Sequence, residues 1–302
     1  MFCFSCDNQK LRLISNLGSI PLSNNFVKKK DLLVVKKYPL KLYFCPKCKL
    51  VQTKKIVSEK DIFNSEYLYH SSFSKTWLKH VNELCGKIVK NNNLKKNDLI
   101  TEIASNDGYL LKYFKKRKFR KILGIEPSKK LSNLAKKNKI QIITDFFSTK
   151  LIKSHKYIKS SKIIIGLNVL AHTPNLKDFS NALSETMNSD SVGVFEVQYL
   201  PNLIKKLQFD TIYHEHYSYF TLTSLINLFK RTKIGIFKVE FIKTHGGSIR
   251  IYLKRKINIS KKEKKEIQKI LEIEKQFGLN KYSHYKIFDE KFKKLIKKNH
   301  DS

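Results

Sequence analysis

Between residues 98 and 254, short apolar runs alternate with amphipathic stretches. The runs at 99–104, 121–125, 140–143, 162–167 and 191–197 have the length and β-branched content of buried strands. The stretches at 109–116, 131–137 and 178–187 carry apolar residues at helical spacing. Strands separated by helices of this length predict an α/β fold, a parallel sheet with helices on both faces. The end of the region breaks the alternation. After a helical stretch at 222–231, strands at 234–243 and 248–254 follow each other directly through a turn at Gly246-Gly247. A parallel sheet closed by such a hairpin differs from a plain dinucleotide-binding fold.

The flanks read differently. Residues 1–55 lack helical periodicity, 73–90 predict a helix, and the Asn- and Lys-rich 91–97 reads as a loop. Beyond residue 256 the pattern turns helical. Ser260 with Glu263 three residues on fits a capping box, and Ile287, Phe288, Phe292, Leu295 and Ile296 mark one face of a further helix. No internal repeat is evident. The expected division is a small domain at 1–60, the α/β domain at 61–256 and a helical segment at 257–302.

Cysteine adds chemistry to the first of these. Four of the five cysteines form two pairs, Cys3-Phe-Ser-Cys6 and Cys45-Pro-Lys-Cys48. Each pair presents two thiols from one tight turn, and two such turns facing each other form the closed tetrahedral cage of a structural zinc site. Cys3, Cys6, Cys45 and Cys48 are the expected ligands. The N-terminus lacks a basic segment followed by an apolar run, so the pairs are not read as secretory disulfides and the expected location is the cytoplasm. No stretch approaches the ~20 apolar residues of a membrane helix. Cys85 falls in the helical stretch and reads as an ordinary buried thiol.

The formal net charge is +36. A charge of this size suits an anionic partner, whether nucleic acid, a membrane surface or a phosphorylated metabolite. Lys, Asn and Ile are abundant throughout, however, and the lysines form no stripe, which fits a compositional bias and argues against nucleic acid.

Glu102-Ile-Ala-Ser-Asn-Asp-Gly108 ends one strand and opens a helix. Small residues there let the backbone approach a ligand, and the helix start offers free N–H groups. Glu126 ends the next strand, where a carboxylate can accept hydrogen bonds from both ribose hydroxyls. After the fifth strand, residues 213–219 hold two histidines and three tyrosines. Histidine supplies a base near working pH, and a tyrosine hydroxyl or second histidine can stabilise a developing oxyanion.

The strand order with its closing hairpin is that of class I, Rossmann-like methyltransferases. The paired CxxC, Tyr67-Leu-Tyr-His-Ser-Ser72, EIASNDG, GIEPS at 124–128, NVLAHTPN at 168–175, YHEHYSYF at 213–220 and HGGSIR at 245–250 together resemble the zinc-containing nucleotide-sugar C-methyltransferases. The resemblance runs in order over nearly the whole chain. It implies S-adenosylmethionine and zinc as cofactors and a nucleotide-diphosphate 4-keto deoxysugar as substrate. A base removes the proton next to the ketone, and the enolate takes the methyl at carbon. It assigns His216 as the base, accompanied by Tyr213, Glu215 and His172, with Tyr67 touching substrate. It places Glu102, Ala104, Asn106, Asp107, Gly108, Glu126 and Asn168 at the cofactor. Two departures stand out. The family has Gly where Ala104 sits, and its members continue through a second Rossmann-like domain. The chain then reads as truncated, its last helix requiring cover from its own core, a second copy or a separately encoded C-terminal domain. Competing readings are an RNA methyltransferase and a non-catalytic protein with a zinc module and a methyltransferase-like fold.

Overall fold

The computed structural model describes residues 1–23, 28, 34–62 and 70–300. Its strands are β1 (Arg12–Ile20), β2 (Tyr38–Phe44), β3 (Val51–Gln52), β4 (Leu99–Ile103), β5 (Ile122–Ile125), β6 (Gln141–Ile143), β7 (Ser161–Leu167), β8 (Val192–Gln198), β9 (Ser218–Tyr219), β10 (Ile234–Ile242) and β11 (Ser248–Arg255). Its helices are α1 (Glu59–Ile62), α2 (Lys75–Asn91), α3 (Leu111–Lys116), α4 (Lys129–Lys137), α5 (Thr149–Ser154), α6 (Leu176–Thr186), α7 (Leu200–Lys206), α8 (Leu222–Phe229), α9 (Lys261–Gln276) and α10 (Tyr282–His300).

Seven strands form the main sheet in the order β10-β11-β8-β7-β4-β5-β6. β4 to β8 run parallel, while β11 lies antiparallel between β8 and β10. This is the class I methyltransferase order read from the sequence. Buried on both faces, the parallel strands are apolar almost throughout, as Ile163, Ile164 and Ile165 show. Helix starts follow local chemistry. Ser74 caps α2 by accepting from Trp77 N, Asn175 caps α6 by accepting from Asp178 N, and Ser260 with Glu263 closes the expected capping box on α9.

A second, antiparallel sheet has the order β1-β2-β3-β9. Its last strand is donated by the YHEHYSYF segment, so the N-terminal module and the α/β unit are built into each other. One apolar core joins Cys3, Cys45, Cys48 and Leu50 to Phe220, Leu225 and Phe195. α10 covers the outer face of this sheet. Tyr285 and Phe288 bury against Ile14, Leu40 and Phe44, and the Phe292 ring lies 5.0 Å from that of Phe209. The apolar face of the last helix thus finds cover within this chain's own core, although Ile287 points to solvent. The Leu295 and Ile296 side chains lie outside those described. Among the described residues, no helix is long and apolar enough to cross a membrane.

Candidate active site

The turn after β4 is tight. Ala104, Asn106 and Gly108 all have positive φ, at 56°, 52° and 76°. Asn tolerates this region and Gly is unstrained there, whereas a Cβ on Ala104 costs roughly 1–2 kcal/mol. The three do different work. Ala104 and Asn106 line a cavity at the carboxyl ends of the parallel strands, where open sheets bind ligands. Gly108 faces away. A Cβ on it would stand 2.7 Å from Ile140 Cδ1 and 3.2 Å from Ala135 Cβ, so it serves helix-on-sheet packing. Glu102 and Asp107 are buried beneath the turn. Burial pushes the Glu102 carboxyl well above the usual range, and the nearby charges of Asp107 and Glu126 add to the shift.

Glu126 lines the cavity. Its carboxylate oxygens accept from Asn106 N at 2.8 Å and Ser128 N at 2.9 Å, which fixes the group and leaves each oxygen a further lone pair. Burial nevertheless raises its pKa to about 7. Asn168, at φ 59°, also lines the cavity.

The cavity is continuous, with a volume of about 660 Å³. From Glu126 it runs past Asn168 to Tyr213, Glu215, His216 and His172. Glu102, Asp107 and Gly108, also expected at the cofactor, support its floor without lining it. Tyr67 lies outside the described residues. Among the lining residues given no role by the sequence reading are Trp77, Tyr109, Asp145, Phe146 and Gln198, together with His245, which stands in the HGGSIR motif. Asp145 and Phe146 follow the end of β6 and were findable by the strand-end rule alone. His245 sits in the HGGSIR turn, with φ 50°. It meets the Trp77 ring edge-on at 4.9 Å, and Trp77 stacks on His80 at 5.1 Å. Behind them Glu196 accepts from Arg250 Nε at 2.6 Å and lies 3.0 Å from His80 Nε2, anchoring this wall.

The lining also has a sign. It includes the carboxylates of Glu59, Glu126, Asp145, Asp178, Asp210 and Glu215, and no Lys or Arg among the described residues.

At the far end His216 is held by both ring nitrogens. Nδ1 lies 2.9 Å from the Thr211 carbonyl and Nε2 lies 2.8 Å from the Tyr213 hydroxyl. A carbonyl can only accept, so Nδ1 carries the proton and Nε2 accepts from Tyr213. Gln198 Nε2 donates to Thr211 Oγ1 at 3.2 Å, steadying the residue that orients the ring. The His172 ring stands 4.8 Å away, edge to face. Burial lowers His216 to about 3, helped by His172, and burial lowers His172 to about 4. Both rings are neutral near pH 7.

The four paired cysteines come together. Their sulfurs all lie within 4.8 Å of one another, with Cys3–Cys48 at 3.4 Å and Cys6–Cys45 at 3.6 Å. Four thiolates bound at about 2.3 Å around one tetrahedral ion would stand about 3.8 Å apart, so the cluster fits zinc. Hydrogen bonds from Cys3 and Cys48 hold the Cys45 thiol far below its ordinary pKa. Four thiolates would complete a tetrahedral set with no open position for a substrate, and three of the four cysteines are buried.

Comparison with known proteins gives three matches along the chain. Residues 3–63 match a zinc binding domain, 69–233 a methyltransferase domain and 243–301 a C-methyltransferase C-terminal domain. C-methyltransferase NovU of Streptomyces niveus is 29% identical over 254 residues. The match takes in 83% of this chain, which spans 60% of that relative's length. Solved structures with a similar backbone include the PH0226 protein of Pyrococcus horikoshii OT3, at 12% identity and TM-score 0.48, covering 62% of this chain and 95% of that one. An S-adenosylmethionine-dependent methyltransferase of Clostridium acetobutylicum ATCC 824 gives 13% identity and TM-score 0.46, covering 59% and 92%. The fold assignment rests on the strand order above rather than on these two.

Proposed function

The chain belongs to the zinc-containing C-methyltransferases, and from this premise we propose that it methylates carbon next to the ketone of a nucleotide-diphosphate keto-deoxysugar. The observation that carries the reading is the single cavity joining Glu126 and the left-handed turn after β4 to the Tyr213–His216 pair.

The turn and Glu126 are suited to S-adenosylmethionine. A backbone at positive φ with small side chains allows close approach, and the Glu126 oxygens can each take a ribose hydroxyl. A lining rich in carboxylates suits a sulfonium cation. When bound, S-adenosylmethionine supplies an electrophilic methyl group. Zinc, held by Cys3, Cys6, Cys45 and Cys48, supplies structure in a closed thiolate set.

Proton abstraction falls to His216 and Tyr213. Thr211 holds the His216 proton on Nδ1, so Nε2 is the basic atom. With Tyr213 Oη 2.8 Å away, the hydroxyl can take a proton from substrate carbon while passing its own to Nε2. A neutral imidazole lowered to about 3 is by itself a weak acceptor. The enolate formed as it accepts the proton stands beside it in a low dielectric, and that opposite charge raises its affinity for the proton. His172 and Glu215 line the same end, and substrate contacts by Tyr67 belong to this reading as well.

The test is deuterium wash-in at the carbon next to the ketone, with a deoxythymidine diphosphate 4-keto sugar as substrate. His216→Ala is expected to lower exchange by at least about 10²-fold, the typical contribution of a general base, with S-adenosylmethionine affinity by calorimetry unchanged. Exchange at the wild-type rate would remove His216 from the role.

A further inference from the structure

The zinc module does more than sit beside the catalytic unit. Its short strand β3 pairs with β9, with Val51 opposite Tyr219 and Gln52 opposite Ser218. The pairing continues one residue on, where Thr53 N donates to the Tyr217 carbonyl at 3.0 Å. Thr53 Oγ1 then donates to the carbonyl of His216 itself at 3.2 Å. Both Gln52 and Thr53 are almost wholly buried.

The same two residues are tied to the cysteine turns. Gln52 Oε1 accepts from Phe4 N at 3.0 Å and its Nε2 donates to the Phe2 carbonyl at 3.2 Å, clasping the chain on either side of Cys3. On its other side Gln52 is four residues from Cys48. Cys45 N donates to the Leu50 carbonyl at 2.8 Å, which fixes the exit from the second turn. The Phe4 ring meets Tyr217 edge-on at 6.1 Å, and Asn227 Nδ2 donates to the Cys48 carbonyl at 3.1 Å. By contrast Ala104, Asn106, Glu126 and Asn168 hang on β4, β5 and β7, which pair with no strand of the N-terminal sheet, although Ile103 of β4 and Ile164 of β7 share apolar packing with the cysteine site.

We propose that Gln52 and Thr53 are positioning residues through which filling of the four-cysteine site sets the placement of the Tyr213–His216 pair, while the cofactor end of the cavity stands independently of the metal. The first cysteine turn, Cys3 to Cys6, is held by its own hydrogen bonds, Cys3 N to the Asn8 carbonyl at 2.9 Å and Asp7 N to the Cys3 carbonyl at 3.1 Å, and is tied to β3 by Gln52. Metal binding orders it, Gln52 transmits the order to β3, and Thr53 fixes the peptide carrying His216. The proposal rests on the reading of Tyr213 and His216 as the proton-moving pair.

The experiment uses the full chain and reads the His216 ring directly, by the ¹⁵N resonances of its imidazole, assigned by difference with His216→Asn. Thr53→Val removes the hydroxyl at constant shape, and Thr53→Ser keeps it. Thr53→Val is expected to retain one zinc per chain by elemental analysis and S-adenosylmethionine affinity within about twofold. Its His216 resonances should move toward those of an unanchored ring, and proton exchange should slow about tenfold, the scale of one hydrogen bond. Thr53→Ser should restore both. Chelation of zinc from the wild type should disturb the same resonances and leave cofactor affinity within about twofold. Unmoved His216 resonances in Thr53→Val or in metal-free protein would overturn the proposal. Loss of cofactor binding on chelation would overturn it too, because the metal would then support the whole fold. Failure of the proton-moving reading would show separately, as exchange that survives His216→Ala.

Discussion

His172 and His216 are half-buried in the cavity wall and neutral near pH 7, and that has a cost in acid. An unfolded histidine titrates near 6.5, whereas these two are lowered by burial to about 4 and about 3. Between pH 6.5 and 4 the unfolded chain takes up protons that the folded chain refuses. Their contribution to stability is therefore complete above pH 6.5 and is lost as the pH falls. For each ring the loss between pH 7.5 and pH 5 is on the order of 2 kcal/mol. Glu126, raised to about 7 by burial, works in the opposite direction: its contribution is fullest below its ordinary 4.5 and is lost as the pH rises through 7. Comparing wild type with His216→Gln cancels the Glu126 contribution. Urea unfolding at pH 7.5 and pH 5 is expected to show the variant losing roughly 2 kcal/mol less than wild type; parallel losses would contradict the neutral ring. The residue types at this site stood in the sequence as a cluster of His and Tyr after the fifth strand, but only Tyr213 and His216 of that cluster line the cavity, while His214, Tyr217 and Tyr219 serve the fold. The individual geometry was not legible there. Ala104 reads as one methyl more than the family's Gly, and only the fold shows that the methyl sits on a left-handed backbone at the cavity wall.

Elements with many residues of one period announce themselves, and short ones do not. The parallel strands, α2, the β10–β11 hairpin and the capping box of α9 all stood in the pattern. β3 and β9 have two residues each, too few for any period, so the sheet they complete was invisible, and with it the splice between zinc module and catalytic segment. The cover that α10 finds on that sheet was hidden for the same reason. α9 holds a second such splice. Glu274 is 1% exposed, and from the far end of α9 it caps α8. Its carboxylate accepts from Leu222 N, Thr223 N and Thr223 Oγ1 at 2.6–2.7 Å, and from the Tyr199 hydroxyl at 2.7 Å. A negative charge at a helix N-terminus is favourable, and four donors leave it fully satisfied. Glu274→Gln keeps the shape but places an NH₂ group against donors. It is expected to destabilise the protein by about 2–4 kcal/mol, the scale of breaking a buried charged network. Chemical denaturation that shows less than about 1 kcal/mol would mean that the cap carries little of the fold.

At the scale of the whole molecule, charge is divided between outside and inside. The chain carries +36, yet six carboxylates and no Lys or Arg line the cavity among the described residues. The lysines therefore do not gather where the chemistry is. A sulfonium cofactor with one net positive charge gains from such a lining, while a diphosphate placed inside would meet carboxylates and, among the described residues, no Lys or Arg. On the proposed reading, only the uncharged keto-sugar ring enters, and its diphosphate stays outside among the surface lysines. Two ligands separate the regions. Tripolyphosphate should bind the exterior in a salt-dependent way, weakening at least tenfold between 50 and 300 mM salt as several released counterions require (an order-of-magnitude expectation). S-adenosylmethionine affinity should change by less than about threefold over the same range, because Glu126 and Glu215 are buried and poorly screened, although Asp145 and Asp210 stand exposed at the rim. Tripolyphosphate at saturation should leave bound S-adenosylmethionine in place. Displacement of the cofactor by tripolyphosphate, measured by competition calorimetry at low salt, would show that an anion can occupy the cavity and would put the diphosphate inside.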